Sequence, residues 1–172
     1  MEMLSTLAIT PMQATVFGLL TLPVTLWVIW TDLLTMKIRN GAVLAMLAIF
    51  VVAGLFVMPL SDYAWRYLHF VVMLVICFGL TMTIGMGAGD AKYIAAVAPF
   101  VALPDVSAVA LLYAVWSVIL LLGMFVARRS GALRRAKPDW IWFAEDRKGY
   151  VPFGLALAPT VSSYFAFGAL AG

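Results

Sequence analysis

The sequence has little charge for its length. Of its 172 residues only 11% are Asp, Glu, Lys or Arg, whereas 65% are hydrophobic and the mean hydropathy is +1.07. Soluble domains are closer to half apolar and a quarter charged. This deficit excludes a water-soluble globule. It predicts an integral membrane protein, built as one domain over residues 1–172 and surrounded by lipid bilayer.

Residues that bind metals or cross-link chains are equally scarce. Cys77 is the single cysteine and His69 the single histidine, so an intrachain disulfide and a cysteine-rich metal framework are excluded. The sequence contains no HExxH, CxxC or phosphate-binding glycine loop, and we expect no metal and no cofactor. The few basic residues are explained by membrane topology, so no nucleic-acid partner is expected.

Long uncharged runs fill most of the chain, and about 20 residues are needed to cross a bilayer as a helix. We therefore predict an all-α bundle of six transmembrane helices. The predicted spans are 12–31, 41–60, 67–86, 88–104, 106–127 and 149–171. The uncharged part of the fourth, 93–104, covers only about 18 Å, so this span crosses only if it starts at 88. A re-entrant segment within a five-crossing protein is the alternative.

The loop charges predict the orientation. One predicted loop, 32–40, holds Lys37 and Arg39, and another, 128–148, holds seven basic residues, whereas the opposite side holds only Arg66. Positive loops stay in the cytoplasm. Both basic loops are therefore expected on the cytoplasmic side of the inner (cytoplasmic) membrane, with both termini outside. The aromatic stretch PDWIWFAED, 138–146, suits a segment lying in the headgroup interface.

Four carboxylates divide between the two sides of this topology. Asp32 follows the first span and Asp90 lies at the start of the fourth, so both are expected at the cytoplasmic edge. Asp62 and Asp105 are expected as solvated turn residues on the outer side. Two carboxylates brought together in a low dielectric share one proton, and such a pair can activate water against a peptide bond. The topology predicts equal depth for Asp32 and Asp90 and leaves contact between them open.

Three alternating glycines precede the second of these carboxylates. Gly85, Gly87 and Gly89 are poor helix formers, and they allow another chain to approach the backbone closely. An extended peptide substrate would use this property, but so would ordinary packing of membrane helices. Asp32 and Asp90 could equally be unrelated helix-end carboxylates, or Asp90 could be paired with Lys92 or Arg39. These interpretations stay open at this point.

The first polar block resembles a known family. The segment TDLLTMKIRN, 31–40, resembles the D-x5-I-P-N pattern of the type IV prepilin peptidases, with Asp32, Ile38 and Asn40 in register. Arg39 stands where the family usually has proline, so the local turn is expected to differ there.

Two further blocks carry the resemblance. The segment GAGDAK, 87–92, resembles the family's G-x-G-D-x-K block, and YVPFGLALAP, 150–159, is similar to the [IV]-P-[FY]-G stretch that opens its last helix. The blocks occur in the family's order and the spans fit along the whole chain. The loop between the first two spans lacks the cysteine-containing insertion of the larger, methylating members. The chain thus resembles the short form associated with tight-adherence Flp pili, without N-methyltransferase activity.

Family resemblance implies an activity and a site. The implied activity is that of an intramembrane aspartic peptidase with Asp32 and Asp90 as its dyad. The implied partner is a prepilin or pseudopilin, cut at the cytoplasmic membrane face where a short basic leader meets a hydrophobic helix. Archaeal preflagellin processing would use the same dyad, and the sequence does not distinguish the two or indicate an oligomeric state.

Supporting roles are implied for five further residues. Gly87 and Gly89 would let backbone and substrate come close. Lys92 would hold the neighbouring aspartate ionised or contact a phosphate headgroup. Ile38 and Asn40 would shape the turn after the first aspartate.

Two functions of other classes are compatible with parts of the sequence. A proton-coupled small transporter would use the carboxylates as a relay, although it would favour acids near the bilayer midplane and paired broken helices. A non-catalytic subunit of a pilus or secretion assembly would need only the packing glycines.

The presenilin-like proteases share GxGD but place Tyr-Asp inside a helix, whereas Thr31 precedes Asp32 here.

Overall fold

A computed structural model describes residues 7–136, 141–143 and 151–171 of the chain. This described part is helical, without a strand, which confirms the all-α prediction. It has seven α-helices: α1 Pro11–Thr35, α2 Asn40–Val57, α3 Leu60–Ile84, α4 Ala88–Val97, α5 Val106–Arg129, α6 Gly131–Ala136 and α7 Gly154–Leu170. Most of the expected interfacial segment 138–146 lies outside the described residues. So do Lys137, Arg147, Lys148, the start of the sixth predicted span and the extreme termini.

The helices have the length and composition of an integral membrane protein. Four are long and apolar enough to cross a bilayer: α1, α2, α3 and the segment Leu103–Arg129 that contains α5. α7 is apolar and has 17 residues. Helix length thus supports four crossings, and the predicted number of six is not confirmed.

The fourth predicted span, 88–104, is not one continuous helix. α4 ends at Val97, and two 3-10 turns follow at Ala98–Phe100 and Leu103–Asp105. Each turn contains a proline, which has no backbone N–H to continue an α-helical ladder. The segment nevertheless runs back along α3, because Arg66 near the start of α3 donates from Nη1 to the Pro99 carbonyl oxygen at 3.3 Å.

Two helices extend beyond the spans predicted from the uncharged runs. α3 begins at Leu60 rather than 67, so it includes Asp62 and Arg66. α1 continues past 31 to Thr35 and carries Asp32 within its last turns. Residues with charged side chains can belong to a helix near its ends. The length of the uncharged run therefore underestimates the length of the helix.

The helices define two ends of the molecule. The Asp32 end contains the end of α1, the 85–89 connection and the start of α7. The opposite, Asp105 end contains residues 7–10 before α1, the 101–105 connection and the end of α7. α7 lies antiparallel to α1, since a Cβ on Gly154 would contact Asp32 whereas one on Gly168 would contact Ile9, at the other end of α1.

An aromatic cluster joins the helices between these ends. Phe17 of α1 packs edge-on against Phe100 at 5.0 Å between ring centroids, and Phe50 of α2 packs edge-on against Phe100 at 5.3 Å. Phe165 of α7 completes the cluster, 6.0 Å from Phe100. Edge-to-face aromatic pairs add about 0.5–1.5 kcal/mol beyond area burial. The short 98–100 turn is therefore anchored at the centre of the core.

Asp105 corrects the expectation of a solvated turn residue. Its side chain is 3% exposed and accepts hydrogen bonds from the backbone N–H groups of Ala8 at 2.7 Å and Ile9 at 3.0 Å. The Tyr164 hydroxyl donates a third at 2.7 Å. Asp62, in contrast, is exposed as expected. The carboxylate of Asp105 thus connects the segment before α1, the turn before α5 and α7.

Candidate active site

Asp32 lies in the last turns of α1 and is 2% exposed. The helix ends four residues later at Met36, which adopts the left-handed conformation with φ 50° and donates its N–H to the Asp32 carbonyl oxygen at 2.9 Å. A non-glycine residue in this region is uncommon and ends a helix abruptly. Because α1 ends here, the chain changes direction soon after Asp32 and continues to Ile38 and Asn40.

The start of α7 faces the Asp32 carboxylate. A Cβ on Gly154 would lie only 2.7 Å from Oδ2 of Asp32 and 3.0 Å from its Cγ, so glycine is the residue that fits here. The backbone N–H groups of Gly154 and Leu155 attract the carboxylate, as the positive end of a helix dipole does. Within the described residues, however, Oδ2 has no partner in hydrogen-bonding geometry. A buried acceptor is therefore left available for a bound molecule.

Asp90 lies in the first turn of α4 and is half-buried. Gly85, at φ +71°, ends α3 in the left-handed conformation that favours glycine. Gly87 makes room for the carboxylate, since a Cβ there would lie 2.5 Å from Oδ2 of Asp90. The carboxylates of Asp90 and Asp32 are close enough to repel each other electrostatically. The structure thus brings the two predicted site carboxylates together at one end of the bundle.

The two polar blocks that flank these carboxylates also touch. A Cβ on Gly89 would lie 3.0 Å from the Ile38 carbonyl oxygen, and Ile38 itself is 7% exposed. Lys92 donates from Nζ to Oδ1 of Asn40 at 3.5 Å on the exposed surface. In the part of the chain with described coordinates, no ion pair joins Lys92 to Asp90. Four of the five predicted supporting residues, Ile38, Asn40, Gly89 and Lys92, therefore join the 36–40 turn to the start of α4.

Four contributors to the site were absent from the predicted set of site residues. Gly154 and Leu155 lie in the 150–159 block, to which the sequence assigned no role in the site. Tyr113 of α5 lies near enough to Asp90 to interact with it electrostatically. Trp142 donates from Nε1 to the Leu33 carbonyl oxygen at 3.1 Å. The last two depend on contacts distant in sequence, and no local pattern marks them.

The chemistry available at this end is that of two neighbouring carboxylates. The described residues contain no group of three His, Cys, Asp or Glu side chains placed to hold a metal ion. A pair of carboxylates in an apolar environment binds one proton between them, so one member can accept a proton while the other donates one. Both roles are needed for hydrolysis of a peptide bond by water.

Comparison with known proteins gives a family. The chain matches the type IV leader peptidase family over residues 19–128, which is more than half of its length and includes Asp32 and Asp90. No curated protein and no solved structure shows significant similarity to it. The chain belongs to the type IV leader peptidase family, and it is an aspartic endopeptidase of the prepilin peptidase type.

Proposed function

We propose that Asp32 and Asp90 are the catalytic dyad of this peptidase and that they remove the leader from a prepilin or pseudopilin. The observation that carries the proposal is the approach of these two carboxylates at one end of the bundle, with Oδ2 of Asp32 buried and unpaired among the described residues. Among the acidic residues with described side chains, Asp105 is committed to hydrogen bonds at the opposite end and Asp62 is exposed.

The reaction is a hydrolysis in which the dyad moves protons. The ionised carboxylate takes a proton from water as the water oxygen attacks the scissile carbonyl carbon. The protonated carboxylate polarises the carbonyl oxygen, and the amide nitrogen receives a proton as the C–N bond breaks. Gly87 and Gly154 leave room for the two carboxylates themselves, because a Cβ at position 87 would lie 2.5 Å from Oδ2 of Asp90 and one at position 154 would lie 2.7 Å from Oδ2 of Asp32.

Substitution of either carboxylate tests this proposal. Asp32→Asn and Asp90→Asn keep the side-chain volume but cannot share a proton, so each is expected to lower cleavage of a co-expressed prepilin by about 100-fold or more. Asp62→Asn is the matched control, since Asp62 is exposed at the far end of α3, and it should cleave as the parent does. Membrane levels and thermal unfolding verify that the variants fold. Undiminished cleavage by either dyad variant would contradict the assignment.

The proposed membrane arrangement has six crossings with the site on the cytoplasmic face. Two sets of contacts support it: Arg66 with Pro99, and Asp105 with residues 8 and 9. Because of them, the 88–104 segment starts at the Asp32 end of the bundle and finishes at the Asp105 end. The basic residues of the 32–40 and 128–148 loops then share the side of the dyad, and both termini lie outside. This is the side on which a basic leader is held back from crossing.

We further propose that the protein is the short, Flp-type form without methyltransferase activity. α1 and α2 are separated by only four residues, 36–39, and the single cysteine is buried in α3. There is thus no cysteine-containing insertion between these helices. Purified protein given precursor and a methyl donor is expected to release mature pilin with an unmodified N-terminus, as determined by mass spectrometry. A product heavier by one methyl group would contradict this point while leaving the peptidase proposal intact.

A further inference from the structure

An apolar groove of about 570 Å³ lies between two helices on one side of the bundle. Its walls are α3 and α5, which scarcely contact each other, and its floor is formed by α4 and α7. Of the 25 residues of α3 only Cys77 is fully buried. α3 therefore buries little of its surface within the bundle, and the groove between α3 and α5 has room for an occupant.

The groove leads from the proposed dyad towards the Asp105 end. Trp65, Leu103 and Val106 line it near the Asp105 end, whereas Met86 and Tyr113 line it near the Asp32 end. Met86 belongs to the 85–89 connection and Tyr113 interacts with Asp90. A substrate peptide that extends from the proposed dyad into the membrane would thus run along this apolar groove.

An unpaired polar atom lies along this path. Tyr93 is completely buried, lines the groove, and has a hydroxyl without a hydrogen-bond partner among the described residues. It lies three residues after Asp90, about one helical turn deeper. A hydroxyl can donate or accept, and leaving it unpaired is unfavourable. The occupant is expected to present a hydrogen-bonding group roughly one turn from the dyad.

We propose that this groove binds the transmembrane helix of the substrate, with its first turn at Tyr93 and its body between α3 and α5. The inference rests on the proposed function, in which cleavage occurs where a hydrophobic helix begins. The first four N–H groups of such a helix have no partner within the helix, so they suit the Tyr93 oxygen. A lipid acyl chain would fill the apolar part but offers nothing to this hydroxyl.

Obstruction of the groove gives the first test. Ala110 of α5 is exposed and lines the groove, whereas its neighbour Leu111 is exposed at the same depth and does not. In reconstituted vesicles, Ala110→Trp is expected to lower cleavage of a membrane-embedded precursor at least tenfold. Leu111→Trp should stay within twofold of the parent. Equal cleavage by the two variants would overturn the proposal.

Photocross-linking gives a second test that does not depend on turnover. A benzophenone amino acid at Val72, in the groove, is compared with one at Val71, which is exposed outside it. In the Asp90→Asn background we expect the precursor to be captured from position 72 and not from 71. Capture of lipid alone from position 72 would overturn the proposal. Capture together with undiminished cleavage by Asp90→Asn would instead refute the dyad and leave the groove assignment standing.

Removal of the hydroxyl tests the position of the helix within the groove. Tyr93→Phe keeps the ring and eliminates an unpaired buried group, so the melting temperature should not fall. Cleavage of the precursor is expected to decrease several-fold, mainly through a higher KM. An unchanged KM would overturn the contact assigned to Tyr93.

Discussion

At the residue scale, Gly154 determines how much room the Asp32 carboxylate has. Any Cβ at this position would lie within 2.7 Å of Oδ2, and Asp32 has no space to retreat because it is 2% exposed. Gly154→Ala is therefore expected to shift the carboxylate and to lower cleavage by about 10- to 100-fold, since displacements near 1 Å have effects of this size. The measurement is the initial rate of precursor cleavage.

Gly79→Ala is the matched control for this substitution. Gly79 lies in α3, and a Cβ there would meet nothing within 4 Å. Alanine should retain the parental cleavage rate and stabilise the helix by about 0.5–1 kcal/mol. If Gly154→Ala also cleaved at the parental rate while folded, the close approach of α7 to Asp32 would have no catalytic importance.

A second residue-scale prediction concerns Asp105, which is buried far from the proposed dyad. Its carboxylate accepts three hydrogen bonds, two from backbone N–H groups and one from Tyr164. Asp105→Asn replaces one acceptor oxygen by a donor that faces other donors. Because hydrogen bonds to charged groups contribute about 1.5–3 kcal/mol, we expect a loss of stability of this order, measured by thermal unfolding in detergent.

Asp62→Asn is again the control, because Asp62 is acidic and exposed; its stability should change by less than about 0.5 kcal/mol. Asp105→Asn should still cleave precursor at a temperature where it remains folded. A selective loss of cleavage without loss of stability would show that Asp105 acts in the reaction rather than in the fold.

At the element scale, the sequence predicted the helices where the uncharged runs coincide with them. The run 41–60 corresponds to α2, Asn40–Val57, and the run 106–127 corresponds to α5, Val106–Arg129. The uncharged runs missed part of a helix where a charged residue bonds a residue distant in sequence. Arg66 lies within α3 and its side chain bonds Pro99, and no local pattern indicates that pairing.

The 85–105 segment illustrates the same limit. Its three glycines predicted poor helix formation and a close approach of backbone, and the structure has a helix end at Gly85 and a close approach at Gly89. The sequence did not indicate that the short 3-10 turn around Pro99 and Phe100 is buried among aromatic rings from α1, α2 and α7. Pro99 prevents α4 from continuing, and tertiary packing determines where the turn that follows is placed.

At the scale of the whole molecule, polar chemistry is separated into two ends of an apolar bundle. The Asp105 end uses its carboxylate for hydrogen bonds within the fold, whereas Oδ2 of Asp32 at the other end is buried without a partner in the described residues. The loop charges predicted which end faces the cytoplasm. Because successive spans cross in alternating directions, the sequence predicted that Asp32 and Asp90 lie at the same end. That the two carboxylates are close to each other follows only from the contacts in the folded chain.

This separation leads to a prediction about membrane orientation. Cys77 is the single cysteine and is buried, so Cys77→Ala provides a background without thiols. Exposed positions at the two ends are then replaced singly: Lys37→Cys at the Asp32 end, and Ser61→Cys and Leu103→Cys at the Asp105 end. A membrane-impermeant maleimide applied outside intact cells is expected to label positions 61 and 103, and to label position 37 only after the membrane is opened.

Leu103→Cys decides the number of crossings. With six crossings, residue 103 lies outside, because the 88–104 segment passes from the cytoplasmic edge to the other face. With a re-entrant segment it returns to the cytoplasmic side and reacts together with position 37. The contact between Arg66 and Pro99 is 3.3 Å long, and it fixes residue 99 beside the start of α3, close to position 61. We therefore expect positions 103 and 61 to react from the same side; labelling of 103 with 37 instead would contradict the six-crossing arrangement.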